Sequence, residues 1–340
     1  MRSSPRATGT AMSDHLRFRS AAGFRQAVDD RLKTLAKDLG SPTTLGLLRR
    51  RFLHERFLAR VFSGPDEHWA LKGGVGMLVR VPPLARYSRD IDLQHLSANV
   101  DEAVAELREI ARLDLGDFLR FQVGEPQRVS TDEGFRIKIE ALVGVTTWDT
   151  FPVDVSCELH YVGELEHRNH APVLPADKLN LPLPEFVLYP GADQVADKVA
   201  AMYERHGADQ QAASNRWRDL ADLVLLIEVE PLDAATLRQA LLARVAQARN
   251  PVRLPDEMRT PGPEWERGYP TFAAKETLIP ERYHDLRTAL RCVGECLDPI
   301  LGGTLTTGRW SPSDRRWAGG EVSWTGDRGG GRGIRPLRSE

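Results

Sequence analysis

The sequence predicts an α+β protein. Short apolar strands alternate with amphipathic helices in the first half, the second half is helical, and a proline-rich stretch lies between. Pro172, Pro175, Pro182, Pro184 and Pro190 exclude long helices there and mark the passage from one unit to the next. The expected organisation is an unstructured segment 1–19, an α+β domain 20–165, a mainly helical domain 166–302, and a tail 303–340.

The elements follow in order. Phe24, Val28, Leu32 and Leu35 recur every three to four residues, and Gly40 stands past the end, so 21–39 is a helix. Leu45, Leu48, Phe52, Phe57 and Val61 give a second helix whose remaining faces carry Arg49, Arg50, Arg51, Arg56 and Arg60. This cluster is the best local basic patch, either a solvated face or an RNA backbone contact. His68 to Leu71 reads as a buried strand running into Gly73-Gly74, with a helix from Val75 to Val81 stopped by Pro82-Pro83. Asp90-Ile91-Asp92-Leu93 alternates as a strand, 100–113 as a helix, and 135–142 and 153–159 as strands. Beyond the prolines, helices are expected at 193–206, 214–229, 233–249 and about 282–297. Nine of the 28 glycines fall after residue 302, which predicts a disordered tail. A chain ending near Gly302 is then expected to keep its fold and activity.

Composition narrows the function. Lys+Arg 46 against Asp+Glu 48 excludes a chain-wide basic character, so any nucleic-acid contact must be local. No apolar run reaches the roughly 18 residues needed to span a membrane. Cys157, Cys292 and Cys296 form no CxxC pair, which suits a reducing cytosol and argues against a zinc site. Cys292 and Cys296 read as core residues, Trp265 and Tyr269 as packed anchors, and His160, His167 and His170 as exposed.

The chemistry concentrates between Leu71 and Leu93. Gly73 and Gly74 follow a strand and open a helix, where backbone can approach phosphate closely. After fifteen intervening residues, Asp90 and Asp92 share one strand face, where their charges repel unless a cation lies between them. Mg²⁺ with its oxygen ligands fits that pair, and Asp154 on a later strand is the candidate third carboxylate. Lys198 lies about 60° round its helix from the buried Val195, at the edge of the apolar stripe. There it either snorkels or points into a cleft. Ser214 is a candidate N-cap for the next helix, where Arg216 and Asp219 are spaced to pair. Asp222 lies one step further round and reads as a solvated charge.

Leu71-Lys72-Gly73-Gly74 with Arg86-Tyr87-Ser88-Arg89-Asp90-Ile91-Asp92-Leu93 resembles the AbiEii/AbiGii toxin family, within the DNA polymerase beta-type nucleotidyltransferase superfamily. Tyr189-Pro190 with the segment Asp193 to Met202 resembles its second motif, and Ser214 to Leu223 its third. The resemblance covers about residues 21–297. It implies a polymerase beta-type domain with a mixed sheet followed by a helical domain, and a cytoplasmic toxin working with a cognate antitoxin. The implied reaction is nucleotide transfer from an NTP to an acceptor, the 3′ end of tRNA, which blocks translation. Asp90, Asp92 and Asp154 would hold Mg²⁺, with Asp154 also a base for the attacking hydroxyl. Gly73, Gly74, Ser88 and Lys198 would contact the nucleotide, and Asp219 would orient Lys198 or the acceptor. Two alternatives stay open: a protein or small-molecule acceptor, and an inactive nucleotide- or RNA-binding module.

Overall fold

The computed structural model describes residues 18–320 except 41–43, 65–67, 83–87, 97–98, 129–133, 158–159, 176–178, 180, 249 and 276–278. The expectations for 1–17 and 321–340 therefore lie outside the described residues. Helix α1 (Ala21–Leu39) starts where Ser20 accepts the Gly23 N–H at 3.1 Å and ends at Gly40. Helix α2 (Leu45–Val61) is capped by Thr44 in the same way. After β1 (Trp69–Lys72) come α3 (Gly73–Arg80), β2 (Ile91–His95) and α4 (Val100–Ala111). Strands β3 (Leu119–Val123), β4 (Gln127–Arg128), β5 (Gly134–Val143), β6 (Thr146–Ser156), β7 (Glu166–Arg168) and β8 (Phe186–Leu188) complete the main sheet. Its order is β3-β5-β6-β2-β1-β8-β7, with β4 also on β5. Two pairs, β2 with β6 and β1 with β8, are parallel, so the sheet is mixed.

The period of two sorts this sheet into a dry face and a working face. Leu71, Ile91, Leu93, Ile137, Ile139, Phe151, Val153 and Val155 join α1, α2 and α4 in one core. The residues between them, among them Lys72, Asp92, Arg136 and Asp154, face the other way. Helix α3 joins the two layers. Val75 and Val79 enter the first core, while Met77, Leu78 and Val81 enter a second. That second core is built by α5 (Gly191–Tyr203), α6 (Trp217–Val229), α7 (Ala234–Gln247), α8 (Trp265–Ala273) and α9 (Leu286–Leu301). Trp265 and Tyr269 are fully buried in it, as are Cys292 and Cys296.

Four expectations need correction. The boundary at 165 cuts the sheet, because β7 and β8 continue it, and the core of the first layer takes in Val173, Leu174, Leu181 and Phe186. The arginine cluster of α2 is not a basic surface. Arg60 and Arg56 are buried on Asp117 at 2.7 and 2.9 Å, Arg49 pairs with Asp29, Arg50 with Asp149, and Arg51 with Glu55. Every one of the five guanidiniums thus meets a carboxylate, Arg56 and Arg60 sharing Asp117. His170 is not exposed, since its Nε2 lies 2.9 Å from Glu55 Oε1 in a buried pair.

The tail is the fourth. Residues 303–320 fold back as a hairpin of β9 (Arg309–Ser311) and β10 (Arg316–Ala318). (Two further two-residue strands, at 205–206 and 212–213, pair with each other.) Trp310 is 1% exposed and donates its indole N–H to the Ile227 carbonyl, while Trp317 donates to the Cys296 carbonyl. Apolar burial by two tryptophans outweighs the cost of ordering glycines. A chain ending at Gly302 is therefore expected to lose stability rather than keep it. Trp310→Ala alone should cost about 3–5 kcal/mol, read by denaturant unfolding. No helix among the described residues is long and apolar enough to cross a membrane.

Candidate active site

Strand register assembles a row of four charges across neighbouring strands. Lys72 on β1 pairs with Asp92 on β2, Asp92 with Asp154 on β6, and Asp154 with Arg136 on β5. Adjacent strands lie about 4.8 Å apart, so two carboxylates stand side by side with a cation at each flank. Arg136 grips both oxygens of Asp154, Nε to Oδ1 at 2.8 Å and Nη2 to Oδ2 at 2.7 Å. This bidentate pair holds the guanidinium charged. Asp90 stands just before β2, and the Ser88 hydroxyl donates to its Oδ1 at 2.7 Å.

Burial, and then the negative charges of Asp90 and Asp154, push the Asp92 carboxyl up to about 6 against the pull of Lys72 and Lys198. Burial is the larger cause, and the like charges add to it. Gly73 makes the crowding possible. Its φ is +61°, and a Cβ built there would lie 1.8 Å from Asp92 Oδ2. Gly73→Ala is therefore expected to displace Asp92 and cut turnover by about 10²-fold, the usual cost of misplacing a reacting group by about 1 Å. A steady-state assay checks this. The Gly73 carbonyl accepts from Gln194 Nε2 at 3.2 Å, and Arg80 Nε donates to Gln194 Oε1 at 3.0 Å, which ties the turn to α5.

The opposite wall belongs to the helical layer. Lys198 on α5 is 7% exposed, with its Nζ 2.7 Å from Asp222 Oδ2 and 3.4 Å from Asp219 Oδ1. Arg216 Nε donates to the other Asp219 oxygen at 2.6 Å. Between the walls lies a cleft of about 380 Å³, lined by Lys72, Gly73, Asp92, Asp154, Lys198 and Asp219 among others. Arg244, 3.0 Å from Asp197, and His206 add positive and titratable groups to its rim.

Most of the residues picked from sequence meet here. Asp92, Asp154, Gly73, Lys198 and Asp219 line the cleft, and Asp90 acts on it electrostatically from just outside the lining. Gly74 and Ser88 do not line it. Gly74 is buried within α3, and Ser88 is buried beside Asp90, to whose carboxylate it donates. Asp222 is 2% exposed and is the nearer partner of Lys198, not a solvated charge. Ser214 does not cap α6, which starts at Trp217; its hydroxyl accepts the Arg216 N–H at 3.3 Å. Arg136, Lys72 and Gln194 escaped the sequence reading. Arg136 shares its strand face with Lys138 and Glu140, so nothing in the alternation singled it out.

The donor set fits a divalent cation of the Mg²⁺ kind: carboxylates only, with Asp92 and Asp154 side by side on paired strands. The fold is similar to that of MenT4, a nucleotidyltransferase toxin from Mycobacterium tuberculosis H37Rv, at TM-score 0.55 and 16% identity, covering 79% of this chain and 89% of that one. An antigenic nucleotidyltransferase-like protein from Paracoccidioides brasiliensis matches at TM-score 0.35 and 14% identity, over 58% of this chain and 88% of that one. No curated protein sequence matches. Residues 56–291 match the family described as "Nucleotidyl transferase AbiEii toxin, Type IV TA system". With more than half its length covered and the carboxylates, glycine turn and lysine all inside the matched span, the chain belongs to the AbiEii family of toxin nucleotidyltransferases.

Proposed function

We propose that the protein transfers a nucleotide from an NTP to the 3′ end of tRNA in an Mg²⁺-dependent reaction, and that this stops translation. The observation that carries the reading is the facing of Asp92 and Asp154 on the sheet by Lys198 across one cleft. Asp90, Asp92 and Asp154 would hold Mg²⁺. When bound, the ion neutralises phosphate charge and favours ionisation of the attacking hydroxyl. The chain's own groups do the rest. The Gly73 turn lies on the cleft wall where the phosphates would sit, with Lys72 and Lys198 beside it. Lys198, held by Asp219 and Asp222, offsets charge on the departing pyrophosphate. Asp154, its plane fixed by Arg136, is the proposed acceptor of the hydroxyl proton.

The tRNA acceptor rests on the family resemblance, and the cytoplasm is the compartment where NTP and tRNA meet. Family membership brings an antitoxin as the expected partner. The basic cluster of α2 offers no docking surface, so the RNA is expected on the rim carrying Arg216 and Arg244. Periodate oxidation of the tRNA 3′ diol tests the acceptor. Label from NTP should enter native tRNA and fail to enter the oxidised form. Equal labelling of both would exclude the 3′ end, and labelling of a protein or aminoglycoside instead would favour the other acceptors.

A further inference from the structure

Among the described residues, a second set of metal-ligating groups lies on the opposite face of the same strands. His68 precedes β1, His95 ends β2, and Glu106 sits on α4, with ligand atoms all within 4.8 Å of one another. His68 Nδ1 and His95 Nε2 each lie 3.1 Å from the same oxygen, Glu106 Oε2. A tetrahedral ion with bonds of about 2.0–2.1 Å spaces its ligand atoms by about 3.3 Å, so these atoms nearly span such a site already. The other carboxylate oxygen, Oε1, accepts the Trp69 indole N–H at 2.9 Å. That bond fixes the carboxylate and presents Oε2 to the two imidazoles, the usual outer support of a metal ligand. His95 is 1% exposed and His68 49%, so one ligand is rigid and the other opens the site to solvent.

We propose that His68, His95 and Glu106 bind a zinc-class ion that ties α4 to the β1–β2 pair. Two imidazole nitrogens with one carboxylate oxygen suit Zn²⁺, or Co²⁺ as its spectroscopic substitute, and suit Mg²⁺ poorly. The donor chemistry thus separates this site from the all-oxygen row. The two also face opposite sides of β2, where His95 stands three residues, about 10 Å, from Asp92. The cysteine pattern argued against zinc, and this proposal departs from that expectation because its ligands are two imidazoles and a carboxylate. The ion's role is structural: it would anchor the strand pair whose far end carries Lys72, Gly73 and Asp92. The proposal does not depend on the acceptor or on the transfer reaction.

The test uses full-length protein stripped with chelator and titrated with Zn²⁺, and with Co²⁺ followed by visible absorption, in excess Mg²⁺. The protein is expected to take up one Zn²⁺ per chain, show the absorption of tetrahedral Co²⁺, and melt at a higher temperature when loaded. His68→Ala, at a half-exposed position that should not disturb folding, is expected to weaken binding at least about tenfold and remove the thermal gain. Glu106→Gln should act in the same direction, and Asp92→Asn should leave both readouts intact. Zinc uptake by His68→Ala equal to the unmodified chain would overturn the proposal. So would uptake that follows Asp92→Asn instead, or no uptake at all.

Discussion

Asp92→Asn is expected to abolish nucleotidyl transfer, by about 10²-fold or more, while raising the melting temperature of the metal-free protein. The two effects have one cause. Burial and the neighbouring Asp90 and Asp154 charges raise the Asp92 carboxyl to about 6 in the folded chain, against 3.8 ordinarily. The folded state therefore binds a proton more tightly than the unfolded chain, and stability falls as pH rises between about 4 and 6. Above that window the full cost of the charged side chain is present. Asparagine removes it, so the variant should gain about 1–3 kcal/mol at pH 7–8 and nothing near pH 3. Adding Mg²⁺ with NTP should reverse the order, stabilising the unmodified protein and leaving the variant unmoved. Thermal melts at pH 3, 5 and 8, with and without both ligands, check the sign at each step. A variant that is less stable at pH 8 without metal would show that Asp92 is held by its flanking cations, not strained by its neighbours.

Lys198→Ala should lower turnover at saturating NTP by about 10²-fold and also lower stability. The ammonium lies 2.7 Å from Asp222 and 3.4 Å from Asp219, and both carboxylates are nearly fully buried. Removing one partner of such a group costs about 3–5 kcal/mol, because charge is left behind in a poor solvent. Lys198→Met with Asp222→Leu removes both charges and should restore most of the stability but none of the activity. That pair separates catalytic charge from structural charge. If the double variant recovers turnover as well, Lys198 serves only to neutralise Asp222.

The same residues show what a one-dimensional pattern can and cannot reveal. Asp90, Asp92 and Asp154 were legible because strand alternation fixes their face, and Gly73 because a turn between strand and helix needs its φ. Lys198 and Asp219 stood at edge positions on apolar helices, and only the family resemblance gave them a part in the cleft. Arg136 was not, and register explains why. From the turn, Val143 pairs with Thr146 and Leu142 with Thr147, but Ala141 pairs with Asp149. Trp148 is the extra residue of this bulge, and it shifts the pairing by one, bringing Arg136 opposite Asp154 instead of Val153. Asp222 was misread because a helical wheel shows no cation beside it; Lys198 comes from another helix. The α2 arginines were misread for the same reason, since Asp29, Asp117 and Asp149 reach them only through the fold. In the tail, glycine density hid the decisive fact that Trp310 finds a socket at Ile227.

The central claim is that the row of carboxylates opposite Lys198 passes a nucleotide, not a phosphoryl group, to tRNA. Incubating the full-length protein with tRNA and either α- or γ-labelled NTP measures this directly. Label in the α position should be retained on tRNA in Mg²⁺, label in the γ position should leave with pyrophosphate, and Asp92→Asn should retain neither. Retention of the γ label, or α labelling undiminished in Asp92→Asn, would contradict the assignment of this cleft as the site of transfer.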